Sequence, residues 1–242
     1  MKHLLLSIAV IFFLPSLTFA RSAEPFAITS YGNFKQMMHT RKTEGAVNLT
    51  EALDLPHVYA VGAIEDGAGE ITVIDGRAWL DYGADGLDKA RAKVPADAKA
   101  VILVRAQVQE WLPISVPEDM SRQPLHVFIL DQAEAHGLDV NKPFPFMLEG
   151  SFHDVDWHVV NGKREKPAGQ EFGRPFNKLS EHRDQTDGTV IGFYSATSQG
   201  VYTHPGESWH LHIVFDNEEK AGHLEELTVK QGTILKLPVK SN

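Results

Sequence analysis

Apolar residues along this chain fall mostly into short runs of strand length, punctuated by glycine, proline and acidic residues. Residues 58–64 and 70–74 run apolar or alternate, and Asp66-Gly67-Ala68-Gly69 separates them. Turn residues between β-branched runs predict a hairpin. Asp75-Gly76 closes the second run, and residues 76–80 continue as a third strand. Residues 101–104, continued to Trp111, predict the next strand, closed by Pro113 and Pro117. Further strands follow at 144–148 and 152–160, split by Glu149-Gly150, at 189–194, on either side of a polar turn at 215–222, and at 233–239. Three stretches read as helices instead. Residues 34–38 carry apolar side chains at helical spacing, and 48–53 offer Asn48 as N-cap with Glu51 three residues on. Residues 125–137 end in Gly137, a glycine C-cap. The stretch 161–187 is rich in Gly, Pro, Lys, Arg and Glu without periodicity, so it reads as a long loop with a strand end near Phe172. The expected class is α+β, strand-dominated.

The first residues change the picture of location. Met1-Lys2-His3 precedes an apolar run at 4–14, and Thr18-Phe19-Ala20 follows with small residues suited to cleavage. This is the pattern of a secretory signal peptide over residues 1–20, cut after Ala20 or after Ser22. The run is short of the roughly 20 apolar residues that a stable membrane span requires. The mature chain is therefore expected outside the cytoplasm, secreted or periplasmic, with no membrane attachment after cleavage. No cysteine occurs in the 242 residues, so no disulfide braces the fold and no lipid is attached through one. A net charge of −9 disfavours nucleic acid and anionic membranes as partners.

The chemistry concentrates near the end of the chain. Trp209-His210-Leu211-His212-Ile213 places two histidines at i and i+2, which share one face of a strand. The polar residues that follow read as a hairpin connection, and Gly222-His223-Leu224 lies on the returning strand. Three neutral imidazoles around one point, with a fourth position left to water or substrate, are the ligand set of a catalytic zinc. The competing reading is a surface strand decorated with polar residues. Cupins also carry His-x-His on β-strands, but that pattern wants a glutamate four or five residues beyond the second histidine. Here the first carboxylate is Asp216, and His223 falls off the pattern. His153 and His158 are five apart, so on a regular strand they face opposite sides. Asp154 and Asp156 share a face with His158, where an O/N metal site is one reading and the polar outer face of an antiparallel strand the simpler one. His204, in Thr203-His204-Pro205-Gly206, sits in a turn leading into the histidine strand.

Several blocks together resemble the α-acetolactate decarboxylases, zinc enzymes that convert 2-acetolactate to acetoin and CO2. The first runs from Gly188-Thr189-Val190-Ile191-Gly192-Phe193 through Gln199-Gly200 and His210-Leu211-His212 to Ala221-Gly222-His223-Leu224. It is similar to the family's G-T-x-x-G-F stretch, Q-G pair, H-L-H segment and G-G-H turn. Val61-Gly62-Ala63-Ile64 leading to Gly69-Glu70-Ile71 and Asp75-Gly76 forms a second block, and Glu149-Gly150-Ser151-Phe152 a weaker third. The resemblance implies two lobes: a mixed sheet with helices over 21–140, and a small antiparallel barrel carrying the metal over 141–242. It also implies a homodimer and a small 2-hydroxy-3-keto acid as substrate. His210, His212 and His223 fall on the family's zinc ligands, and Glu70 falls on its active-site glutamate.

Two departures bear on the substrate. The family's R-I-D/E-G segment reads Met147-Leu148-Glu149-Gly150 here, and a thioether cannot hold a carboxylate as a guanidinium does. The family's glutamate near the C-terminus has no counterpart in residues 236–242. Arg105, a charged residue in an apolar strand, is the one substitute guanidinium that suggests itself. The simpler expectation is a solvent-facing side shared with Gln107 and Gln109. The implied chemistry uses zinc to offset charge as CO2 leaves an enediolate, with Glu70 returning a proton to carbon. The alternatives are a zinc enzyme of the same fold acting on another substrate, one lacking the carboxylate, and a non-catalytic module that binds a metal or ligand.

Overall fold

A computed structural model of the protein describes residues 26–40, 42–87, 89–162 and 176–239. The expected leader at 1–20 and the strand end near Phe172 lie outside those residues. In chain order the elements are β1 (Phe26–Tyr31), α1 (Phe34–Thr40), β2 (Val47–Asn48), α2 (Leu49–Ala52), β3 (Val58–Ile64), β4 (Gly69–Ile74), β5 (Arg77–Tyr82) and β6 (Lys99–Val108). They continue with β7 (Trp111–Ser115), β8 (Met120–Ser121), α3 (Arg122–Ala135), β9 (Phe144–Val160), β10 (Lys178–Tyr194), β11 (Trp209–Phe215), β12 (Ala221–Val229) and β13 (Ile234–Pro238).

Strands dominate, and the class is α+β. One sheet runs β1-β6-β3-β4-β5 with β2 beside β6, the other β7-β13-β9-β10-β11-β12-β8. Every strand pair in the first sheet is antiparallel, where a mixed sheet was expected. In the second, β12 also pairs with β9, so β9, β10, β11 and β12 form a closed circuit of pairings. The sheet nevertheless extends beyond that circuit through β13, β7 and β8, rather than forming the free-standing small barrel expected.

Among the described residues three larger apolar clusters, and a small fourth around Trp79 and Val214, hold these layers. Leu125, Ile129 and Ala133 recur at helical spacing along α3 and pack on Phe146, Phe152, Trp157 and Ile213 of the second sheet. Between the sheets, Tyr59, Val61 and Val104 of the first meet Met147, Ile191 and Phe193 of the second. On the far face of the first sheet, Leu49 of α2 joins Val58, Ile71, Leu80 and Leu103. The helix starts behave as expected: the Asn48 side chain accepts from the Thr50 backbone N–H at 2.9 Å. Gly137, just past the end of α3, takes φ +82°.

Three strand expectations are corrected, and one strand went unrecognised. β1 carried no recognised signal, since its exposure alternates only weakly. Pro113 lies inside β7 instead of closing a strand, because β7 is a sheet edge whose outer N–H positions need no partner. β9 runs unbroken through Gly150, whose φ of +149° is open to glycine. β10 begins at Lys178 within the expected loop; its first ten residues are polar apart from Leu179 and none is buried, so no apolar alternation marks them.

β9 also changes phase. Phe144, Phe146, Leu148 and Phe152 point into the α3 core before Asp154, and Val155, Trp157 and Val159 do so after it. Asp154 has φ +50° and the facing register to β12 shifts nearby, so the alternation slips by one residue there.

Candidate metal centre

The centre is built on cross-strand register. His212 of β11 pairs with His223 of β12, and His223 pairs with His158 of β9. On the other side, His212 pairs with Ile191 of β10 and Ile191 with Met147 of β9. Directly opposed residues share a face, so Met147, Ile191, His212, His223 and His158 form one row facing the first sheet. His210, two residues before His212, joins the same face. Gly222 permits the close approach of β12 to β9: a Cβ there would lie 2.7 Å from the His158 carbonyl oxygen.

His210 Nε2 lies 3.1 Å from His223 Nδ1 and 3.2 Å from His212 Nε2. All three offer a nitrogen within 4.8 Å of the others. In a tetrahedral site with metal–nitrogen bonds of 2.0–2.1 Å, two ligand nitrogens stand about 3.3 Å apart. The spacing fits a bound ion. Burial lowers the pKa of His210 to about 3 and holds His212 and His223 well below the usual imidazole value. The three rings are therefore neutral, the form a metal requires. Together they can hold a metal ion.

β4 closes the site from the first sheet. Glu70 and Thr72, two residues apart, point to the same side. Glu70 Oε2 lies 3.7 Å from His212 Nε2, and Oε1 accepts from the Val160 N–H at 3.3 Å. Burial, first among the causes, raises the Glu70 pKa to about 8. A dication at the histidines would draw it back down. Thr72 Oγ1 meets His212 Nδ1 at 2.8 Å with both residues fully buried. Asp81, opposite Glu70 on β5, is also buried, which raises its pKa to about 7.

His158 corrects the expectation of a polar outer face. It is 5% exposed and its ring centroid lies 4.7 Å from that of His223. Its Nε2 is 4.0 Å from Glu70 Oε1, and its Nδ1 is 3.2 Å from Glu225 Oε1, which Lys178 also holds. These contacts draw the Glu225 pKa down to about 2, the hydrogen bond from His158 being the largest cause. The phase slip at Asp154 is what turns His158 inward. His153, before the slip, is only half-buried and pairs in register with Gln185 and Thr228, apart from the three-histidine group. His204 packs on His223 with ring centroids 5.2 Å apart, so the turn before β11 does border the cluster.

Met147 is 3% exposed within the apolar core between the sheets. Arg105 does not replace the missing guanidinium. It lies on the face of β6 that carries Leu103 into the far core, and it donates to the Tyr31 hydroxyl at 3.2 Å. It is half-buried there, not solvent-facing as expected. Thr72 and Asp81 escaped the sequence reading, and His158 was read on the wrong face. For Thr72 a signal existed, because strand alternation puts it beside Glu70.

Two antiparallel sheets that bring three histidines of one against a glutamate of the other define an α+β protein with a centre suited to a metal ion. A model of the alpha-acetolactate decarboxylase family matches residues 27–240, and the chain belongs to that family. The alpha-acetolactate decarboxylase from Bacillus subtilis strain 168 superposes with a TM-score of 0.70 at 18% identity, covering 87% of this chain and 85% of that one. The acetolactate decarboxylase of Bacillus subtilis subspecies spizizenii gives 0.68 at 17% identity, with coverage of 87% and 85%. A Staphylococcus aureus protein of unknown function, described as similar to alpha-acetolactate decarboxylase, gives 0.62 at 15% identity, covering 86% and 84%. At these identities the superpositions show a shared fold. No curated protein sequence matches the chain.

Proposed function

We propose that this chain is a zinc-dependent carboxy-lyase that converts 2-acetolactate, or a related 2-hydroxy-3-keto acid, to acetoin or its analogue and CO2. The proposal places the mature protein outside the cytoplasm after loss of residues 1–20. The observation that carries it is the meeting of His210, His212 and His223 with Glu70 in a chain of this family. When bound, zinc supplies a Lewis acid that offsets the charge growing on the substrate's ketone oxygen as CO2 departs. Glu70 holds the proton that carbon must then receive. Its carboxyl is buried, tethered at Oε1 by Val160, and keeps Oε2 on the side of the histidines. Buried apolar neighbours exclude water from one flank, so protonation falls to the positioned carboxyl and not to bulk solvent.

Met147 alters substrate binding. Without a fork of N–H donors the substrate carboxylate loses a charge-assisted contact of roughly 1.5–3 kcal/mol. The same residue favours a second reading: a substrate with no carboxylate on that flank, handled by the same metal and acid. Zinc-loaded protein given racemic 2-acetolactate, with acetoin followed colorimetrically, separates the two. Acetoin formation that falls on Glu70→Gln supports the first. No acetoin from protein of full zinc content moves the assignment to the second.

A further inference from the structure

Thr72 lies outside the ligand set and outside the proton transfer, yet its hydroxyl makes the 2.8 Å contact to His212 described above, across a sequence separation of 140 residues. We infer that Thr72 is a positioning residue of the metal centre: it holds the His212 ring so that Nδ1 faces β4 and Nε2 faces the other two histidines. The inference rests on the reading that the three histidines hold a metal. Both residues are fully buried, so no solvent molecule stands ready to take the place of either partner. An imidazole that binds a cation through Nε2 must carry its proton on Nδ1, and Thr72 Oγ1 then accepts that N–H. Nε2 is the nitrogen that lies 3.2 Å from His210 Nε2 and 3.7 Å from Glu70 Oε2.

β4 thus addresses both ring nitrogens of one histidine, with Thr72 at Nδ1 and Glu70 near Nε2. Threonine suits the task because its branched Cβ restricts χ1, which keeps the hydroxyl aimed at one point. A partner of this kind fixes tautomer and ring orientation, and its loss commonly weakens metal binding about 10–100-fold. A merely structural hydrogen bond would act differently. It would lower the melting temperature of metal-free protein and leave metal affinity alone.

Zinc affinity measured by chelator competition on the full-length wild type, Thr72→Val and Thr72→Ser tests the inference. The expected result is a dissociation constant raised about 10–100-fold in Thr72→Val and changed less than about threefold in Thr72→Ser. Should Thr72→Val fail to fold, nitrogen-15 NMR of zinc-loaded wild type decides the matter, and a proton on His212 Nδ1 with the metal on Nε2 is the expected signature. Affinity in Thr72→Val equal to wild type, with or without a lower metal-free melting temperature, overturns the inference and leaves the metal reading standing. A proton on Nε2 in the loaded protein also overturns it. Wild type without zinc affinity removes the metal reading and this inference together.

Discussion

The two walls beside the histidine cluster differ in kind. One is polar: Glu70 and Thr72 from β4, Asp81 behind them, and His158 with Glu225 and Lys178 from the second sheet. The other is apolar: Met147, Ile191 and Phe193 against Tyr59, Val61 and Val104. Met147 stands in the same cross-strand row as His212, two strands away, about 10 Å at ordinary strand spacing. The polar wall brings Glu70 and Thr72 against the three histidines that can hold a metal. The residues named in the apolar wall include no cation that would grip an anion. On the proposed function, chemistry and substrate anchoring would fall to separate surfaces, so that one could persist while the other is replaced.

His212→Ala removes one of the three proposed ligands. Zinc content by elemental analysis should fall from about one per chain to near zero, with loss of turnover. A stoichiometry unchanged by that substitution would contradict the ligand assignment. Glu70→Gln keeps shape and metal while removing the proton, so turnover should drop about 10²–10⁴-fold at constant zinc content. Met147→Arg gives the apolar wall the missing cation. Acetoin formation should rise about ten- to a hundredfold where the contact is expressed in the transition state. A folded, zinc-loaded Met147→Arg protein with no gain would favour a substrate lacking the carboxylate.

Asp81 measures what the polar wall costs in stability. Its folded pKa, about 7, stands above the model-compound 3.8 because burial disfavours the charged form. The folded state thus binds the extra proton between roughly pH 4 and 7. Its favourable contribution is complete below about pH 4 and is lost as pH rises through about 7. Asp81→Asn should match wild type near pH 4 and exceed it by on the order of 1–2 kcal/mol at pH 8. Denaturant unfolding of metal-free protein at both pH values checks this, and an equal gain at the two would show the titration to be irrelevant.

His210, His212 and His223 were legible because a period of two and a polar turn suffice to bring them together. Their neighbours were less so, each for a physical reason. His158 was misplaced because a one-residue slip at Asp154 reverses every later side chain of β9. The start of β10 was read as loop because its polar residues, none of them buried, leave no hydrophobic alternation to detect. Thr72 shares the face of Glu70 by strand alternation, but its partner His212 lies across the sheet interface, where no local pattern shows it. The α3 helix was plain because its buried residues Leu125, Ile129 and Ala133 recur every four positions, and the β3–β4–β5 meander because turn residues separate apolar runs that are buried almost throughout.

The most direct test of the account is turnover of racemic 2-acetolactate by zinc-loaded protein, by the same protein stripped with a chelator, and by the stripped protein given zinc again. The account predicts acetoin and CO2 from the first, none from the second, and recovery in the third. Equal rates with and without zinc, or no acetoin from protein carrying one zinc per chain, would contradict it.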